Sequence, residues 1–139
     1  MTTLYRTTAT ATGGRNGQVR TDDGFSSDLA LPKALGGSGK SGANPEQLFA
    51  SGYAACFQSA MEHVARVQKI TTGSSEVSAT VGIGPNDKGG FALTVALVVI
   101  ITGIDQAGAE TLVAAAHQVC PYSNATRGNI DVQISVRAQ

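Results

Sequence analysis

The chain has 139 residues, enough for one domain with a core or for one subunit of a compact oligomer. Its 10 Lys and Arg balance 10 Asp and Glu, which removes the electrostatic case for a nucleic-acid or anionic-membrane partner. Charged residues make up 14% of the chain against about 25% in an average soluble domain, and so thin a polar surface points to an oligomer.

The longest unbroken apolar run, Ala96 to Ile101, is far short of the roughly 20 residues a membrane-spanning helix needs. The opening Met1-Thr2-Thr3-Leu4-Tyr5-Arg6 lacks the apolar stretch of a signal peptide. A cytoplasmic location is therefore expected, where a static disulfide is disfavoured. Cys56 and Cys120 read either as inert core thiols or as working ones.

Leu4 to Thr12 alternates as a strand does, and Gly13-Gly14-Arg15-Asn16-Gly17 carries the Asn-Gly signal of a tight hairpin, lifting Arg15 onto its tip. Val19 to Arg20 and Phe25 to Leu31 continue as short strands around the turn residues Asp22-Asp23-Gly24. The Gly- and Ser-rich loop Gly36-Gly37-Ser38-Gly39-Lys40-Ser41-Gly42 lacks the spacing of a phosphate loop. Asn44-Pro45-Glu46-Gln47 is a helix start: Asn44 caps, Pro45 fits the first helical position and Gln47 reaches back. The helix is predicted to run to about Lys69, with Phe49, Tyr53, Cys56, Phe57, Ala60, Val64 and Val67 on its buried face.

Glu76 to Ile83 and Phe91 to Thr102 follow as strands. The second, apolar on both faces from Ala96 to Ile101, is expected to be covered on both sides. Asp105 caps a helix from Gln106 to about Val119, whose face carries Leu112, Val113, Ala116 and Val119. Pro121 interrupts it, so Cys120 stands at a helix boundary, and Pro121 to Arg127 start a short turn closed by Gly128. Ile130, Val132, Ile134 and Val136 alternate with polar residues in a last strand. The order βββ, α, ββ, α, β is that of a single α+β domain over residues 1–139, without repeats.

Taken alone, either thiol is most simply a buried core cysteine. Cys120 precedes a proline-initiated helix start, whose free N–H groups and positive end favour a thiolate. Cys56 is mid-helix, gains no such help, and needs a side-chain cation to ionise. Cys56, His63, His117 and Cys120 have the ligand types of a Cys₂His₂ metal set without its close-pair spacing, so no metal is expected. There is no Gly-x-Ser-x-Gly elbow, and Cys120-Pro121-Tyr122-Ser123 has serine where a Cys-x-x-Cys motif has its second thiol. Arg15 reads as a hairpin-tip charge, Glu46 as a first-turn acid, and Arg20 as a weaker rival cation. Phe25, Phe49, Tyr53, Phe57 and Tyr122 are core or interface rings, and some of them suit the wall of an apolar pocket.

Three stretches together resemble a known family. They are Thr12-Gly13-Gly14-Arg15-Asn16-Gly17, the run from Asn44-Pro45-Glu46-Gln47 through Gly52-Tyr53-Ala54-Ala55-Cys56-Phe57, and the run from Val113 through His117-Gln118-Val119-Cys120-Pro121-Tyr122-Ser123-Asn124-Ala125-Thr126-Arg127-Gly128-Asn129. They closely resemble the organic hydroperoxide resistance branch of the OsmC/Ohr family over nearly the whole chain. The resemblance implies an intertwined homodimer with antiparallel sheets around central helices. It implies a thiol-dependent peroxidase that reduces organic hydroperoxides without a bound cofactor and is recycled by an external dithiol, dihydrolipoamide or a lipoylated protein. By motif match, Cys56 is the peroxidatic cysteine, Cys120 the resolving one, and Arg15 with Glu46 the pair that activates Cys56. Phe49, Tyr53, Phe57 and Tyr122 are candidates for the pocket that takes the alkyl or fatty-acyl chain. Lys40-Ser41 departs from a loop usually rich in Gly and Ala, at no implied catalytic position.

Those roles set geometric conditions. A bridge needs the two Cα atoms roughly 4.4 to 6.8 Å apart, so the segments carrying Cys56 and Cys120 must pack together. Glu46 and Cys56 on one straight helix are separated by about 15 Å of rise and about 280° of rotation. At least one of Arg15 and Glu46 then comes from the other subunit, or the helix breaks near Gly52. A redox sensor, or a small-molecule-binding dimer with inert buried thiols, are the alternatives built from the same residues.

Overall fold

In the computed structural model, which describes residues 1–139, the chain is α+β and divides into two units, Met1–Leu48 and Phe49–Gln139. The first is built on an antiparallel sheet of β1 (Ala9–Thr12), β2 (Gln18–Thr21) and β3 (Ser26–Asp28). The strand predicted from Leu4 starts only at Ala9, because the ladder ends at the Ala9↔Thr21 pair and leaves the preceding residues no partner strand. The Asn-Gly turn is also replaced by a wider one. Gly14–Asn16 forms a 3₁₀ turn, and positive φ falls on Gly13 (74°) and Gly14 (56°). No residue of these three strands is buried; in this unit only Leu29 and Ala30 are.

The long helix α1 (Pro45–Val67) opens with the predicted capping box. The Gln47 N–H donates to Asn44 Oδ1 at 2.9 Å, and the Asn44 N–H donates to Gln47 Oε1 at 3.0 Å. The helix is unbroken through Gly52, so the break considered there does not occur.

The second unit holds β4 (Ser75–Pro85), β5 (Phe91–Ile101), α2 (Gln106–Val119), α3 (Pro121–Thr126) and β6 (Val132–Ala138), with sheet order β4-β5-β6. The β4–β5 pair is antiparallel, but β5 and β6 run parallel from Val95↔Val132 to Ile101↔Ala138. The sheet is therefore mixed rather than wholly antiparallel, because α2 and α3 form a crossover that returns the chain to the end where β5 began. Asp105 caps α2 as predicted, accepting the Gly108 N–H at 2.7 Å.

The core lies on one face of β5. Val95, Leu97, Val99 and Ile101 are buried with Tyr53, Phe57, Met61 and Val64 of α1 and with Ala109, Leu112, Val113 and Ala116 of α2. Cover on both faces of β5 is not found. Ala96, Val98 and Ile100 form a single apolar row flanked across the register by Glu76, Ser78 and Thr80 on β4 and by Gln133, Ser135 and Arg137 on β6. Val67 and Val119, predicted on buried faces, are 63% and 45% exposed, since both end their helices beyond the sheet-facing turns, and Met61 and Ala65 complete the α1 stripe instead.

Candidate active site

Pro121 forces Cys120 out of helical geometry, to φ −59° and ψ 122°, so that α2 stops and α3 starts at once. Cys120 serves both helices: its N–H donates to the Ala116 carbonyl at 2.8 Å, and its carbonyl accepts the Asn124 N–H at 2.9 Å. The side chain is fully buried and faces α1, where Cys120 Sγ lies 3.7 Å from Cys56 Sγ. Both thiols are free, 3.7 Å apart against the roughly 2 Å of a disulfide.

Burial pushes the Cys56 thiol up from its ordinary pKa; the backbone of Tyr122 pulls it down, and the neighbouring Cys120 thiol pushes it up again. Backbone help from the start of α3 thus reaches Cys56 through Tyr122, whereas the sequence assigned it to Cys120, whose side chain makes no capping hydrogen bond. Cys56 also lines a cavity of about 370 Å³ with Ser59, Ala60, His63, Val119 and Pro121. It is the half-buried thiol of the pair, with Cys120 sealed behind it.

The four aromatic pocket candidates separate. Tyr53 and Phe57 have no exposed surface and belong to the core. Phe49 and Tyr122 line a groove of about 690 Å³ with Ile83, Phe91, Leu93 and Ile130. Phe49, Tyr53 and Tyr122 contact one another with ring centroids 5.6 to 6.1 Å apart. Gly52 permits this close approach, since a Cβ there would sit 2.7 Å from the Tyr122 hydroxyl.

A cluster of buried hydroxyls beneath Cys120 was not read from the sequence. Ser123 Oγ lies 3.0 Å from Tyr53 Oη and 2.8 Å from His117 Nδ1, and Tyr53 Oη lies 3.1 Å from Thr126 Oγ1. The signal was present in Tyr53 itself, because a tyrosine on a buried helical stripe must find a partner for its hydroxyl. Burial and the Arg127 charge hold the His117 imidazole below its ordinary pKa. The other histidine, His63, pairs with Arg66 at 3.2 Å, so the cysteines and histidines form no ligand cluster.

In the first unit, Arg15 and Glu46 meet as a two-pronged pair. Arg15 Nη1 and Nη2 donate to Glu46 Oε2 and Oε1, each at 2.7 Å, in the chain's one salt bridge. The Arg15 hydrogen bonds hold the Glu46 carboxyl below its ordinary pKa, and Glu46 in turn raises that of the guanidinium. Lys40, read as touching no implied catalytic position, lies beside one: its Nζ donates to the carbonyl of Asn16, next to Arg15, at 2.7 Å. Arg20 lies in β2 with no carboxylate partner.

Comparison with known proteins places this geometry in context. The sequence pattern of the family described as OsmC-like protein matches residues 37–135. An organic hydroperoxide resistance protein from Xanthomonas axonopodis pv. citri (strain 306) is 52% identical over 135 residues, covering 96% of this chain and 94% of that protein. The organic hydroperoxide resistance protein OhrB from Bacillus subtilis (strain 168) is 46% identical over 136 residues, covering 96% and 98%. A crystal structure of an organic hydroperoxide resistance protein from Elizabethkingia anophelis superposes with a TM-score of 0.96 at 52% identity, covering 100% of both chains.

Proposed function

The chain belongs to the OsmC-like protein family, within its organic hydroperoxide resistance group, and from that premise we propose that it is a thiol peroxidase reducing organic hydroperoxides to alcohols through Cys56. The observation that carries this reading is the pair of free thiols 3.7 Å apart, one lining a cavity and the other buried behind it. The Cys56 thiolate attacks the distal peroxide oxygen; the O–O bond breaks, the alkoxide leaves and takes up a proton as the alcohol, and Cys56 becomes a sulfenic acid. Cys120 then attacks the Cys56 sulfur as its thiolate, hydroxide leaves as water, and a disulfide forms. A dithiol, in this reading a dihydrolipoyl group, reduces the bridge by exchange.

Burial opposes ionisation of Cys56, so the first step needs a cation. An ordinary thiol with pKa about 8.5 is about 3% thiolate at pH 7, and full ionisation raises the reactive fraction up to about thirtyfold. Arg15 is the guanidinium we assign to this task. Glu46 fixes its fork, and the remaining N–H groups suit a thiolate and peroxide oxygens. Because α1 is unbroken, we assign the Arg15–Glu46 pair of one subunit to the Cys56 of the other in a homodimer. A first unit with no buried strand residue supports such a partner. Ala60, Val119 and Pro121 give the cavity at Cys56 an apolar wall, which favours an organic substrate over hydrogen peroxide, which gains nothing from apolar burial. The same reading treats residues 1–139 as one domain and sets it in the cytoplasm, where both thiols stay reduced; no helix is long and apolar enough to cross a membrane.

Steady-state turnover with dihydrolipoamide, comparing cumene hydroperoxide with hydrogen peroxide, tests the assignment. Faster consumption of the organic substrate is expected, while thiols inert to both would leave a ligand-binding dimer. Mixed dimers of Arg15→Ala and Cys56→Ser subunits test the sharing. Recovered activity is expected, and its absence would assign the pair to its own chain.

A further inference from the structure

We propose that Tyr53, Ser123 and His117 are positioning residues that hold Cys120 against Cys56 for disulfide closure, an inference that rests on the peroxidase reading above. Ser123 stands three residues after Cys120, His117 three before it, and Tyr53 three before Cys56. Each thus stands about one helical turn from a cysteine on α1, α2 or α3. The helix that follows Cys120, α3, has only 6 residues, too few to hold its own shape in water. What fixes it is polar and directional. Ser123 Oγ meets Tyr53 Oη of α1 and His117 Nδ1 of α2, and Tyr53 Oη also meets Thr126 Oγ1 at the far end of α3. Arg127 adds an N–H to the His117 carbonyl at 2.6 Å and another to Asn124 Oδ1 at 2.7 Å.

The proton count closes in both directions. With Nδ1 accepting, Thr126 donates to Tyr53, Tyr53 to Ser123 and Ser123 to His117. With Nδ1 carrying the proton, His117 donates to Ser123, Ser123 to Tyr53 and Tyr53 to Thr126. No buried side-chain polar atom is left unpaired. Apolar contacts alone tolerate sliding of so short a helix, whereas this network sets its register on α1 and so sets the separation of the sulfurs.

The consequence lies in a competition at the Cys56 sulfenic acid. Cys120 closes the disulfide and releases water, or a second hydroperoxide transfers an oxygen, giving the sulfinic acid and another alcohol. Loosening α3 slows only the first branch. Tyr53→Phe removes the hydroxyl and keeps the ring, and mass analysis after graded cumene hydroperoxide measures the ratio of disulfide to sulfinic acid. About a tenfold shift toward sulfinic acid is expected, the equivalent of about 1.4 kcal/mol for a lost buried hydrogen bond. General loss of stability, read separately from the reduced-state melting curve, does not move this ratio. An unchanged ratio in a variant that folds would overturn the positioning role, and Ser123→Ala carries the same reading should Tyr53→Phe fail to fold. Wild-type protein that forms no disulfide at all would instead overturn the peroxidase reading.

Discussion

The two units solve opposite physical problems. Met1–Leu48 carries an ion pair and almost no core: its three strands bury nothing, yet Arg15 and Glu46 engage through two 2.7 Å hydrogen bonds. Phe49–Gln139 carries a dense core and no ion pair, with both thiols set at the edge of packed α1, α2 and α3. Burying a guanidinium and a carboxylate beside Phe57 and Leu112 would cost several kcal/mol per ion, whereas a half-exposed turn holds them at little desolvation cost. A thiol in that core has the reverse difficulty, since burial raises its pKa and starves it of thiolate. A reactive thiol in such a core calls for a cation, and the chain's one ion pair belongs to the other unit.

The sharpest break in the comparison comes from the thiols. Cys56→Ser is expected to abolish turnover. Cys120→Ser should keep one reduction per chain and then over-oxidise at Cys56, as followed by hydroperoxide consumption and intact mass; equal loss of the first event in both variants would undo the assigned order. Next in size is the core itself. Phe57→Ala, at a fully buried site, should cost about 3–5 kcal/mol in denaturant unfolding. Thr10→Ala on the exposed β1 should stay within about 0.5 kcal/mol, and a similar cost at both would erase the contrast between the units.

A smaller effect is expected from Arg15→Ala. Alkylation of Cys56 at neutral pH should slow by up to about thirtyfold, with little change in stability because the pair is partly exposed. Arg15→Lys should restore only part of the rate, lacking the planar fork. The weakest effect is acid sensitivity. The Glu46 carboxyl titrates below its unfolded value, so its stabilisation is present above the ordinary carboxylate pKa and fades as pH falls through the folded one. Melting curves should show wild type losing more stability than Glu46→Gln on acidification, and parallel curves would remove the pair's contribution.

What the sequence made legible was local. The Asn44–Gln47 capping box, the Asp105 cap and the proline break at Cys120 each depend on a few adjacent residues, and each is found. The parallel β5–β6 pairing was not legible, because the direction in which two distant strands pair is set by the connection between them and not by either strand's own pattern. Nor was the start of β1, since Leu4 to Thr8 alternate correctly but the partner strand ends at Thr21. At the site, residue types and motif pointed to Cys56, Cys120, Arg15 and Glu46, and the structure pairs thiol with thiol and guanidinium with carboxylate. The influence of the Tyr122 backbone on Cys56 and the buried hydroxyls around Ser123 were out of reach, because both arise from how α3 docks on α1, a matter of tertiary packing. Ser123 drew notice in the sequence only as the serine that spoils a Cys-x-x-Cys motif; in the fold it is the hub of the buried network.

Fully reduced protein is mixed with a single equivalent of cumene hydroperoxide, quenched, and analysed by thiol count and a non-reduced peptide map. Loss of both free thiols with a Cys56–Cys120 bridge within one chain is the outcome the account requires. Two intact thiols beside unconsumed hydroperoxide, or a bridge between chains, would contradict it.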